Sequence, residues 1–178
     1  IRLSFVRGAH LELLRQRAMG RFLAAAQDAG IPLMVLVPHD LVGEVGRIAA
    51  EHPGLRIVLD HLGLTPYEVY DDVHAALKPV LELAARPNVA VKASALPASV
   101  PDPFPFASLH EPLLRTIEAF GPRRVFWGSD ITRLSCPYRD CVRLFTEVLP
   151  LADDDREWVL GRGVMEWIGW TAPVGRAP

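Results

Sequence analysis

The sequence predicts an α/β fold in which parallel strands are covered by helices, and three observations predict it. Five apolar runs recur along the chain, each followed by apolar residues at helical spacing. The runs are near-continuous in hydrophobicity, not alternating, as expected when helices cover a parallel sheet. Three of them end in polar residues: Val58–Gly63 reads VLDHLG, Val89–Ser94 reads VAVKAS and Val125–Asp130 reads VFWGSD. The C-terminal ends of parallel strands are where such folds gather their polar groups. Strand–helix repetition with right-handed crossovers leaves two architectures, an open doubly wound sheet or an arc of a (β/α)₈ barrel.

The first strand is Ile1–Phe5. With isoleucine at position 1 and a strand already under way, the chain reads as a segment of a larger protein. Leu11, Leu14, Ala18, Phe22, Ala25 and Ala29 predict one helix, stopped by Gly30 and Pro32 before the second strand, Leu33–Val37. Asp40 is placed to cap the next helix, whose stripe is Leu41, Val45, Ile48 and Ala49, and Pro53-Gly54 ends it. After the strand in Arg56–His61, Thr65 and Glu68 have capping-box spacing with Pro66 at the first helical position, and Tyr70, Val73, Leu77, Leu81 and Ala84 form the face. The fourth strand, within Asn88–Ser94, leads through a loop from Pro97 to Pro105 into a helix carrying Leu113, Ile117 and Phe120. The fifth, within Arg124–Asp130, precedes a helix with Cys141, Leu144, Phe145 and Val148, and a last helical region runs from Asp153 to Trp167.

Composition narrows the class. The 178 residues are 50 % hydrophobic and 22 % charged, enough for one sizeable domain and too apolar for disorder. A formal net charge of -2 gives no electrostatic footprint for nucleic acid or an anionic membrane, so the expected partners are small molecules or copies of the chain itself. Cys136 and Cys141 have no second pair to complete a metal cage and read as ordinary thiols. No stretch reaches the roughly 18 apolar residues of a membrane span, and the expected location is cytoplasmic. GxGxxG, GxxxxGK[ST] and GxSxG motifs are all absent, which favours the barrel arc over nucleotide-binding and serine-hydrolase folds.

The strand exits supply the candidate site. Asp130, directly after Val125–Ser129, is a carboxylate at a strand mouth and suits a general base. His61 ends the third strand, with Gly63 giving the backbone room to turn; a neutral imidazole there donates to a developing oxyanion or shuttles a proton. Asp60, one position earlier, is expected on the opposite side of the strand as a buried acceptor. Lys92 either contacts a substrate carboxylate or is held by an acid such as Asp60. Arg133 is the better anion clamp, with a salt bridge to Asp140 or another acidic neighbour as its competing role, and Arg2 is a weaker candidate of the same kind. His39, in a strand-to-helix loop, is a further candidate for substrate binding or proton transfer. Ser94 and Ser129 read as groups that orient polar neighbours, and Trp127, Trp158, Trp167 and Trp170 as core and helix-docking residues.

In Ile31–Leu41, Arg56–Gly63, Arg86–Leu96, Arg123–Arg133 and Val159–Trp170 the chain resembles the C-terminal part of the amidohydrolase-related (amidohydrolase 2 type) family of TIM-barrel hydrolases. The resemblance implies a partial (β/α)₈ TIM barrel comprising about strands four to eight, with Val58–Gly63 as strand six, Val89–Ser94 as strand seven and Val125–Asp130 as strand eight. Strands one to three, with the family's His-x-His metal motif, then lie outside these residues. It also implies that Asp130 activates water or binds metal and that His61 is an active-site group. The family's metal-dependent branch carries a histidine at the end of strand five, where this chain has Leu36, with His39 three residues later.

The expected function is therefore a hydrolase acting on a small carboxylated lactone or a related ester or amide bond. Asp130 and His61 are its catalytic residues, and Arg133, His39 and Lys92 hold the substrate. No cofactor is required in this reading. The alternatives are a metal-dependent decarboxylase, with a divalent metal such as zinc on Asp130, and a catalytically inactive structural half-barrel. A five-stranded arc has two open edges, and the inward faces assigned to Ile57, Leu59, Val89 and Val91 lack filling side chains. The arc alone is expected to be inactive, and to be completed either by further strands of a longer polypeptide or by a partner, a homo-oligomer included.

Overall fold

The computed structural model describes residues 1–65 and 68–170. Its centre is a sheet of five parallel strands in chain order: β1 (Arg2–Ser4), β2 (Leu33–Leu36), β3 (Ile57–Leu59), β4 (Val89–Ser94) and β5 (Val125–Gly128). All five sequence-assigned strands are present. A doubly wound sheet reverses its strand order in the middle, and this one does not. The fold is a partial (β/α) barrel, a five-stranded parallel sheet with surrounding helices.

The two faces of the sheet pack against different things. Leu33, Val35, Ile57, Leu59, Val89, Val91 and Val125 join the helices in the main core. Val58, Ala90 and Phe126 form a second, smaller cluster with Met34, Val164 and Trp167. The assignment of Ile57, Leu59, Val89 and Val91 to the barrel interior is thus corrected: they face the helices, and the alternate row faces inward. Both rows are apolar because both faces of these strands are covered, so hydrophobicity does not fix which is which. The polar residues Asp60, Lys92 and Ser94 continue the inward row toward the strand ends.

The first predicted helix is two, α1 (Ala9–Arg15) and α2 (Gly20–Asp28), broken where Arg17 adopts φ 55°. The break resets the phase, so Leu14, Met19, Leu23 and Ala26 are buried while Ala18, Phe22, Ala25 and Ala29 are exposed. Helix α3 (Val42–Glu51) buries Val42, Val45, Ile48 and Ala49 as its spacing predicts, but Asp40 does not cap it; a 3₁₀ turn, His39–Leu41, intervenes. The next helix starts later than Thr65. Asp72 caps α4 (Val73–Ala76) by accepting the Ala75 N–H at 2.9 Å, and α5 (Lys78–Glu82) follows. Thr65 and Glu68 instead meet on Tyr70, whose hydroxyl accepts the Thr65 N–H and donates to the Glu68 carboxylate. Pro66 lies outside the described residues.

Beyond β4 come α6 (Ala107–Phe120) and, after β5, α7 (Tyr138–Arg143), continued by a π-helical turn, Leu144–Val148. Helix α8 (Asp153–Glu157) runs through a π-helical turn, Trp158–Arg162, into α9 (Gly163–Ile168). Helix α9 covers the N-terminal end of the sheet's inner face: Trp167 packs on Phe126, and Arg56 donates to the Trp167 carbonyl. Trp158 is stacked by Arg123 and Arg162, at 3.9 and 4.3 Å from its ring centre. Trp158 and Trp167 thus have the core and docking roles assigned to them, whereas Trp170 is 62 % exposed. Among the described residues no helix is long and apolar enough to cross a membrane.

Candidate active site at the strand mouths

Six non-glycine residues among those described have positive φ, and four of them, His61, Leu62, Ala95 and Asp130, lie just past the ends of β3, β4 and β5. Such backbone costs of order 1–3 kcal/mol per residue and persists only where the surroundings enforce it. After β3, three successive left-handed residues, His61, Leu62 and Gly63, turn the chain sharply at the barrel mouth. Gly63 is required there on two counts. Its φ is +65°, and a Cβ would meet Val42 Cγ2 at 2.9 Å. The turn interrupts strand alternation at His61, so that Asp60 stays on the inward row while His61 reaches across the mouth.

His61 is 6 % exposed and joins two strand ends. Its Nδ1 lies 2.8 Å from Ser94 Oγ at the end of β4, and its Nε2 lies 3.5 Å from Asp130 Oδ2 beyond β5. The same Asp130 oxygen is 3.3 Å from Arg133 Nε. Arg133 thus has an acidic neighbour as its partner, but it is Asp130 and not Asp140, which pairs with Arg139 and Arg143. Beside His61 and Arg133 is a cavity of about 20 Å³, walled also by Leu64 and Ser99, large enough for one water. Larger surface clefts, of about 670 and 470 Å³, lie along the C-terminal helices and bring together none of these groups.

A second cluster sits on the inward row. Asp60 is fully buried and takes two cations, Arg2 Nε at 2.8 Å on Oδ2 and Lys92 Nζ at 2.9 Å on Oδ1. It is the buried acceptor the sequence suggested, though on the inner face and not the opposite one. Two cations on one carboxylate leave this cluster with one net positive charge. His39 joins by another route: its Nδ1 donates to the Gly63 carbonyl at 3.0 Å, which ties the loop after β2 to the turn that carries His61. The structure therefore brings Asp130, His61, Arg133 and Ser94 into one chain of contacts, with His39 bracing the turn and Lys92 held by Asp60. Ser94, read from sequence as a group that orients polar neighbours, is the direct hydrogen-bond partner of His61, a pairing that no motif signals.

Burial pushes the His61 imidazole below its ordinary value, outweighing the pull of the Asp60 and Asp130 carboxylates. The unfolded chain then takes up a proton near its unperturbed pKa of 6.5 while the folded site resists. Above that pH both states are uncharged at His61 and its full contribution to stability is present; the contribution is lost as the pH falls toward the lowered folded value. The urea midpoint is expected to fall between about pH 7.5 and pH 5.5, and His61→Asn is expected to flatten that slope. Parallel slopes in the two proteins would contradict it.

The donor set does not by itself make a metal site. The mouth offers His61 Nε2 and Asp130 Oδ2, but the position that could add a strand-end histidine is Leu36, which is buried, and Arg133 already sits on Asp130 Oδ2. Among the described residues no group of three or more His, Cys, Asp or Glu side chains is placed to hold a metal ion.

Parallel strands in barrel order with polar groups converging at their C-terminal ends define part of a (β/α) barrel with its site at the strand mouths. Residues 1–162 match the Amidohydrolase family (Amidohydro_2), and the chain belongs to that family. It is 37 % identical over 97 residues to an L-fucono-1,5-lactonase of Burkholderia ambifaria, a match covering 52 % of this chain and 32 % of the lactonase. Its fold resembles that of an amidohydrolase from Burkholderia multivorans solved with bound zinc, with a TM-score of 0.81 and 23 % identity. It also resembles a probable 2-pyrone-4,6-dicarboxylic acid hydrolase from Acinetobacter baumannii solved with citric acid, with a TM-score of 0.70 and 16 % identity. Each structural match covers 94 % of this chain and 63 % of the relative, so the chain spans less than two thirds of their length.

Proposed function

We propose that the protein containing this chain hydrolyses a small carboxylated lactone, or a related ester or amide bond, by general-base-assisted attack of water. The observation that carries the reading is Asp130, a carboxylate at a strand mouth flanked by His61 Nε2 at 3.5 Å and Arg133 Nε at 3.3 Å. Asp130 accepts a proton from water as the water adds to the carbonyl carbon. The carbonyl oxygen becomes an oxyanion, which the His61 N–H meets. Collapse breaks the bond to the ring oxygen, which takes up the proton held by Asp130, giving a hydroxy acid. Arg133, Lys92 and His39 are the substrate-binding groups of this reading, and the net positive charge around Asp60 favours a carboxylated substrate. Similarity to an L-fucono-1,5-lactonase supports lactones as the first class to assay.

The test is hydrolysis by the intact protein of three probes, a neutral sugar δ-lactone, a carboxylated pyrone lactone and a simple carboxylated ester. Turnover of the carboxylated lactone in excess of the neutral one, retained after exhaustive chelation, is expected. No hydrolysis of any probe would overturn the reading, and complete loss on chelation restored by zinc would replace its metal-free form.

A further inference from the structure

We infer that Ser94 is a positioning residue that fixes His61 in the tautomer with its proton on Nε2, so that His61 acts toward the substrate as a donor. The inference deepens the proposed function and rests on it only for the catalytic consequence. Two arrangements of protons fit the 2.8 Å contact between His61 Nδ1 and Ser94 Oγ. In one, Nδ1–H donates to the serine oxygen. The bare lone pair of Nε2 then faces the Asp130 carboxylate oxygen 3.5 Å away, placing two acceptors opposite each other in a site where His61 is 6 % exposed. In the other, the serine hydroxyl donates to a bare Nδ1 and the proton on Nε2 points at Asp130. Both arrangements are uncharged, so burial does not choose between them; the second is the one that avoids opposed lone pairs at the Asp130 end, and it leaves the Ser94 backbone carbonyl, which also faces the imidazole, without the Nδ1 proton.

The surroundings hold Ser94 to this task. It is 2 % exposed, its hydroxyl has His61 as its hydrogen-bond partner, and it stands opposite Gly128 in the β4–β5 register. A Cβ at Gly128 would come within 3.2 Å of Ser94 Cβ, so the glycine on β5 gives the serine its place. The residue after Ser94, Ala95, is left-handed with φ 60°, which ends β4 at the serine. Ser94 is 2 % exposed against 6 % for His61, and the role inferred for it is to position His61, not to attack substrate. The consequence is a division of labour. With Nδ1 engaged and Nε2 protonated, His61 has no free lone pair to accept a proton from water, and that task falls to Asp130.

The experiment is ¹⁵N NMR of the histidine side chains in the intact protein at a pH where His61 is neutral, with the His61 signals assigned by their loss in His61→Asn. Protonated and bare imidazole nitrogens are well separated in ¹⁵N shift. The wild-type protein is expected to show the proton on Nε2, and Ser94→Ala to lower the ratio of the Nε2–H to the Nδ1–H form by about fivefold, the worth of one neutral hydrogen bond. A smaller reduction in kcat with KM unchanged is expected alongside, because kcat follows the fraction in the Nε2–H form, which falls by less than the ratio does where that form predominates. A wild-type proton on Nδ1, or an unchanged ratio in Ser94→Ala, would overturn the inference. The wild-type spectrum decides it even if the alanine variant folds poorly. Because the readout needs no turnover, absence of lactone hydrolysis would strike the proposed function alone.

Discussion

Replacing Asp130 by asparagine is expected to lower kcat by about 10²–10⁴-fold, the usual worth of a positioned general base. Asparagine keeps the size of the side chain and an oxygen for Arg133 and His61 to approach, but its amide does not accept a proton from water. It also suits the backbone. Asp130 sits at φ 46°, ψ 56°, and asparagine is among the few non-glycine residues that adopt left-handed conformation readily. The loss should therefore appear in kcat, with KM and the urea midpoint close to wild type. Leucine at the same position would confound the result, because it would strain the backbone and leave the Arg133 guanidinium beside an apolar group. Steady-state kinetics and urea denaturation on the same preparation separate chemistry from folding. An asparagine variant with wild-type kcat would remove Asp130 from the reaction.

The strands and their parallel order were legible because burial on both faces leaves continuous apolar runs, and because Gly and Pro punctuate the helices between them. The placement of Asp130 and His61 was legible for a related reason: a polar residue directly after such a run has nowhere to go but the strand mouth. The same double burial hid the parity of the strands, which is why Ile57 and Val89 were assigned to the interior when Val58 and Ala90 occupy it. Helix phase was lost at Arg17, whose left-handed backbone has no signature in an arginine. The Thr65–Glu68 spacing matched a capping box, but Tyr70 captured both residues in a loop, and the cap formed at Asp72. Of the site, the residues at strand ends were readable and their pairings were not. Arg133 meets Asp130 within the same turn, three residues back, whereas Ser94 meets His61 across strands, a contact that depends on how β3 and β4 are registered.

The largest expected effect on stability belongs to Asp60. Its carboxylate is fully buried and balanced by Arg2 and Lys92, whose side chains are 53 % and 25 % exposed. Removing one member of a buried ion pair costs about 3–5 kcal/mol because the remaining charge is left uncompensated. Here both orphaned cations retain some access to water, so Asp60→Ala is expected near the lower end, about 3 kcal/mol, read as a lower urea midpoint at unchanged m-value. Much of that cost is attributable to Lys92, the less exposed of the two cations. Asp60→Leu combined with Lys92→Met exchanges the buried charges for apolar volume and is expected to recover most of the loss, as buried pairs replaced whole often do. Arg2, half exposed and at the start of β1, rehydrates at little cost. A midpoint unmoved by Asp60→Ala would show that the cluster contributes nothing to stability. A double variant no better than the single would show that the loss comes from the buried acceptor itself and not from the cation it leaves behind.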